Sequence, residues 1–180
     1  GEANGNQNYI PITPIVVDEL RKNEYENGNY IVLGDLIEKE ASRLSRIVDR
    51  GNTELHKLLT FLIREILRNT PEHAKTNTTW VCGQYWSKHG LAEIAIIDEG
   101  IGIFESITQN AAHREYITDN ATALQWALKA GISEAFRPSM KQKSNDEWAN
   151  SGFGLYMVNE ICKHLNGSFC IISYGNYMLI

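Results

Sequence analysis

Two consecutive apolar repeats with helical spacing, separated by a glycine and followed by two strand-like runs, constrain this chain most. In "LIEKEASRLSRIVDRGN", Leu36, Ile37, Ala41, Leu44, Ile47 and Val48 recur every three or four residues, and Gly51 stops the run. In "TELHKLLTFLIREILRNT", Thr53 reads as the cap, and Leu55, Leu58, Leu59, Leu62, Ile63, Ile66 and Leu67 form a broad stripe that ends near Pro71. Two amphipathic helices in tandem need an apolar surface to cover. The next residues supply it: "TTWVCGQYW" and "LAEIAIIDEG", joined by the turn "SKHG", predict an antiparallel hairpin whose second strand is buried.

The rest of the chain fits this core. "YIPITPIVV" carries two prolines, which permit an edge strand or an extended arm but no central strand or helix. "NGNYIVLGD" reads as a turn and a short strand, "ATALQWALKA" as a helix stopped by Gly131, and "RPSMKQKSNDEWANSG" as a polar loop. "FGLYMVNEICKHLNG" predicts a helix ending at Gly167, and "SFCIIS" with "YMLI" a last hairpin. The expected fold is α+β, a two-layer sandwich with helices on one face of a mixed, mostly antiparallel sheet. Residues 1–29 read as an N-terminal arm, partly disordered, and residues 30–180 as one domain. Because the chain stops in its last strand, it reads as an excised domain or a truncated small protein.

Composition excludes some functions. With 180 residues the chain can bury a core in one domain, and a net charge of −5 with dispersed Lys and Arg disfavours direct nucleic-acid binding. No apolar run approaches the ~20 residues that cross a bilayer, so no membrane contact is expected of this segment. Cys82, Cys162 and Cys170 are odd in number and lie in helix or strand sequence, which suits buried reduced thiols and a cytoplasmic setting. The spacing of Cys162, His164 and Cys170 does not match a zinc site, and they read as packing.

Three short patterns carry chemistry. Glu65 and Asn69 are four apart on one helix face, roughly 6 Å between Cβ atoms, with His73 one further step along. Such pairs commonly mark a solvated face, yet Glu65 lies among Ile63, Ile66 and Leu67, where polar groups need partners. Asp98 ends an apolar strand and precedes Gly100 and Gly102, which let backbone approach a flat ligand while the carboxylate accepts an amino hydrogen. In "SGFGLYMV", Gly152 and Gly154 open a helix whose free N–H groups favour phosphate oxygens. No strand precedes them and the third glycine is missing, which rules out a Rossmann fingerprint; Walker and protein-kinase motifs are absent.

The order of these patterns, E-x-x-x-N on a helix, D-x-G-x-G after a strand, a long loop, then G-x-G-L opening a helix, resembles the GHKL (Bergerat-fold) ATPase superfamily, the histidine-kinase-like ATPase domains. The resemblance spans about residues 30–180: "FLIREILRNTPEHA" is similar to the family's Asn-containing box, "IIDEGIGI" to its first glycine box and "SGFGLYMVNEI" to its second. It implies Mg²⁺ and ATP as ligands. Asn69 would hold the metal, Glu65 would activate or orient the attacking water, and Asp98, as a single buried acid, would bind the adenine amino group. Gly100, Gly102 and Ile103 would shape the purine site, and Gly152, Phe153, Gly154 and Leu155 would face the phosphates. His73 stands where the family often has a basic residue. Residues 131–151 would be a lid from which Arg137, Lys141 or Lys143 reaches phosphate. Two departures stand out: Thr70-Pro71 replaces a small residue after the Asn, and "ALKAGIS" is closer to stand-alone or multidomain bacterial ATPases than to sensor kinases.

The implied activity is slow ATP hydrolysis, with lid closure reporting nucleotide state to a partner domain, a protein partner or a second copy in a homodimer. The alternatives are a protein kinase domain, of the anti-sigma-type serine or histidine class, and a nucleotide-binding module without turnover. His56 is the upstream histidine available as a phosphoacceptor, but "ELHKLL" lacks the acidic and Pro or Thr flanks, so it reads as a helix-face residue. The apolar face of residues 36–48 serves either the core or a partner.

Overall fold

The computed structural model describes residues 5–22, 25–26, 29–30, 32–132 and 153–180. The chain divides into two compact units, residues 1–100 and 101–180.

In the first unit, β1 (Tyr9–Val16), β4 (Thr78–Trp86) and β5 (Leu91–Asp98) form an antiparallel sheet in the order β1-β4-β5. Both prolines of β1 therefore sit on an edge strand, where a missing N–H costs no internal ladder bond. A short helix α1 (Val17–Lys22) follows, then the paired strands β2 (Tyr25–Glu26) and β3 (Asn29–Tyr30). The predicted tandem helices are α2 (Leu33–Asp49) and α3 (Thr53–Asn69). α2 ends where Arg50 and Gly51 turn left-handed, at φ 49° and 87°. The cap of α3 is Asn52, one residue before the predicted Thr53, and its side chain accepts from the Leu55 N–H at 3.0 Å.

The helices form one layer and the sheet the other. Ile37, Ala41, Leu44 and Ile47 of α2 and Ile63 and Leu67 of α3 pack with Ile10, Ile15 and Val81 of the strands. The apolar face of residues 36–48 thus serves the core. Leu44 and Ala41 are fully buried, each burial contributing on the order of 1 to 3 kcal/mol.

Pro71 lacks an N–H, so α3 cannot continue regularly past Asn69. The Thr70 N–H bonds instead to the Leu67 carbonyl, and a single π-helical turn (Thr70–Ala74) completes the element. β5, predicted to be buried, alternates between half-buried and exposed residues, with Ile97 57% exposed. It is an edge strand of this sheet.

In the second unit, α4 (Gly102–Thr108), α5 (Asn120–Ala127) and α6 (Gly154–His164) accompany the hairpin of β6 (Cys170–Ser173) and β7 (Asn176–Leu179). The core gathers Ile107, Ile117, Ala123 and Ala127, with Ile103, Phe104, Trp126 and Leu155 against it. Asp119 caps α5 by accepting the Thr122 N–H at 2.7 Å. The hairpin turn uses left-handed Tyr174 and Gly175.

Every strand pairing among the described residues is antiparallel, and the strands fall into one three-stranded and two two-stranded sheets rather than a single mixed sheet. No helix among the described residues is long and apolar enough to cross a membrane. Cys82 and Cys162 are half-buried free thiols, but Cys170, predicted to be buried, is exposed on the hairpin.

Candidate functional site

The end of α3 and the end of β5 are held together within the first unit by two contacts. The Thr79 hydroxyl donates to the Thr70 hydroxyl at 2.6 Å, and both residues are 2% exposed. Thr79 is the cross-strand partner of Asp98, and Thr70 directly follows Asn69. The bond therefore ties the turn after Asn69 to the strand position opposite Asp98.

The second contact is backbone on backbone. A Cβ built on Gly100 would lie 2.2 Å from the Ala74 carbonyl oxygen and 2.5 Å from the Ala74 Cβ. Only glycine lets the loop after Asp98 close onto the π turn that carries His73. Thr70 stood out in the sequence only as a departure from the family pattern, and Ala74 and Thr79 were not singled out, because nothing local distinguishes them.

Asp98 is exposed rather than the buried acid expected, because it is the last residue of an edge strand. Its Oδ1 accepts the Gly100 N–H at 2.8 Å and shapes the glycine turn. His73 is half-buried in the π turn.

Glu65 is embedded in ion pairs. Its Oε1 lies 3.0 Å from Arg64 Nη2 and 3.6 Å from Arg68 Nη1, with its side chain 15% exposed. Arg64 also reaches Glu38 at 3.2 Å, and Arg68 reaches Glu72 at 2.8 Å. The alternation Glu65, Arg68, Glu72 at helical spacing was the signal for this ladder. The arrangement holds the carboxylate in place.

No family model, curated protein or solved structure matches this chain.

The remaining predicted residues belong to the second unit or lie outside the described residues. Gly102 has φ 74°, and a Cβ there would meet the Tyr174 ring at 2.3 Å. The Ile103 N–H donates to Ser173 Oγ at 3.2 Å, so the hairpin caps the start of α4. α6 begins at Gly154, where the N-cap residue Phe153 supplies no side-chain cap among the described residues. Leu155 packs on the core of its unit, while Phe153 is exposed and edge-on to Tyr156 at 6.3 Å. Arg137, Lys141, Lys143 and Gly152 lie outside the described residues.

A cleft of about 820 Å³ in the first unit lies elsewhere, between residues 5–13 and the stripe Arg43, Arg46 and Arg50, and holds none of the predicted site residues.

Proposed function

We propose that this chain is a Mg²⁺-dependent ATP-binding domain of the GHKL (Bergerat-fold) type that hydrolyses ATP slowly and passes nucleotide state to a partner domain or subunit. The observation that carries the reading is the glycine-only contact of Gly100 on Ala74. It joins the E-x-x-x-N helix to the D-x-G-x-G turn, and a mere surface turn would not need it. The order of the three motifs along the chain supports it further.

In this reading the Asp98 carboxylate accepts the adenine amino hydrogens, and Gly100 lets its loop close onto the turn that follows Asn69. The Asn69 carboxamide oxygen is a hard donor of the kind Mg²⁺ takes alongside phosphate oxygens. The metal would neutralise charge building on the phosphates. Glu65 orients the attacking water.

Titration calorimetry with ADP and with a non-hydrolysable ATP analogue, each with and without Mg²⁺, tests the reading. The expected result is binding of both, tighter with metal, with the metal effect lost in Asn69→Ala. Absence of heat with either nucleotide rejects it. The engagement of Glu65 by Arg64 and Arg68 favours a second reading, nucleotide binding without turnover, which predicts the same heats and no phosphate release.

A further inference from the structure

Between α2 and α3 lies a polar network that ATP binding does not use. His56 Nδ1 is 2.5 Å from Asp49 Oδ2 and 2.9 Å from Ser45 Oγ, while its Nε2 is 3.1 Å from Ser42 Oγ. The Ser45 hydroxyl donates to the Ser42 carbonyl at 2.9 Å, so it meets Nδ1 as an acceptor. The Nδ1 proton is therefore shared by Asp49 and Ser45, and in the neutral ring Nε2 presents its lone pair to the Ser42 hydroxyl. Asp49 is 7% exposed and also accepts the Gly51 N–H at 2.7 Å. Burial acts to raise its pKa, but the Gly51 N–H and His56 outweigh that and hold it below the ordinary carboxylate value, so it stays ionised beside the ring.

A hydroxyl on an imidazole that is itself oriented by a buried carboxylate is the arrangement that activates serine, and it is recognised by geometry rather than sequence position. A second observation is independent of these bonds. Ser42 and His56 line a cavity of about 250 Å³, whose other walls include Phe61, Lys57, Arg64 and Glu38. A structural network alone would not require an opening at the serine. Phe61 offers the cavity an apolar wall, and Lys57, paired with Glu54 at 3.0 Å on the exposed side, can exchange that partner for a carbonyl oxygen.

We propose that Ser42 is a nucleophile with His56 as its base and Asp49 as the positioning residue, and that the cavity takes small acyl esters. Ser42 Oγ attacks the ester carbonyl carbon and its proton passes to His56 Nε2. The ester C–O bond breaks, and the leaving alkoxide takes that proton. Water then attacks the acyl-serine, His56 again relaying the proton, and releases the free acid. Ser42, His56 and Asp49 are none of the residues assigned to nucleotide or metal, so the proposal stands or falls separately from ATP binding.

The test is labelling of the full chain with a fluorophosphonate probe, in which Ser42 Oγ bonds to phosphorus as fluoride leaves, followed by peptide mass mapping. The expected result is label on Ser42, none in Ser42→Ala, and hydrolysis of p-nitrophenyl acetate lost in the same variant. Asp49→Asn keeps the shape of the side chain but removes its charge. It should lower the limiting labelling rate by on the order of 10² to 10⁴ while leaving the half-saturating probe concentration unchanged. Two results overturn the proposal: an unlabelled Ser42 in folded protein under conditions that label a control serine hydrolase, or labelling that Asp49→Asn does not slow.

Discussion

Gly100 rests on Ala74 with no room for a side chain: a Cβ added there would stand 2.2 Å from the Ala74 carbonyl oxygen. Backbone cannot swing aside as a side-chain tip can, so Gly100→Ala forces the two segments apart. The expected cost is about 1–3 kcal/mol, read as a lower urea midpoint, together with weaker nucleotide binding. Adding Ala74→Gly removes the Cβ contact but leaves the carbonyl in place, so the rescue should be partial. An unchanged midpoint in Gly100→Ala would show that the loop yields without cost.

The buried Thr70–Thr79 bond predicts a non-additive pair of substitutions. Thr79→Val keeps the shape but leaves the Thr70 hydroxyl buried without its donor, at about 1–3 kcal/mol. Thr70→Val has the mirror effect. The double variant removes both groups and should cost less than the two single changes added together, by denaturant unfolding of all four proteins. Strict additivity would mean the two hydroxyls do not interact.

Acid should weaken the first unit through Asp49. Its carboxyl is held below the ordinary value, with burial opposing and the Gly51 N–H and His56 prevailing. A depressed folded-state pKa stabilises fully above the unfolded value of about 3.9, and the contribution is lost as pH falls through the folded value. The stability gap between the wild type and Asp49→Asn should therefore be constant near neutrality and close below about pH 4. A gap that widens in acid would reverse the sign.

Native alkylation should separate the cysteines. Burial raises the Cys162 thiol above its ordinary value, whereas Cys170 is exposed on the hairpin. Iodoacetamide should modify Cys170 first and Cys162 several-fold more slowly, with the difference vanishing in denaturant. Equal rates in the native protein would contradict the burial of Cys162.

If Glu65 orients water, Glu65→Gln should lower ATP turnover by on the order of 10² to 10⁴ with nucleotide affinity unchanged. Steady-state phosphate release beside calorimetric affinity separates the two effects. Unchanged turnover would assign Glu65 to the ion-pair ladder with Arg64 and Arg68 alone.

Much of the fold was legible because its signals are local. The stripes on α2 and α3, the β4–β5 hairpin, the edge position of the proline-rich β1 and the last hairpin all follow from periodicity and turn residues within each segment. The short helices α1 and α4 were not foreseen. α1 starts where the Asp18 N–H meets Asn77 Oδ1 at 3.0 Å, and α4 where the Ile103 N–H meets Ser173 Oγ, so their caps come from 59 and 70 positions away. A helix of one or two turns is not stable by itself, and its start is set by whatever the fold brings to it.

The candidate site divides in the same way. Residue types and spacing by themselves picked out Glu65, Asn69, Asp98 and the glycines, because helical repeat and backbone freedom are properties of the segment. Only the tertiary structure decided that Asp98 is exposed on an edge strand, that Gly100 closes on Ala74, and that Ser42, Asp49 and His56 meet. Burial and hydrogen-bond partnership belong to pairs of segments, and helix packing sets the distance between them.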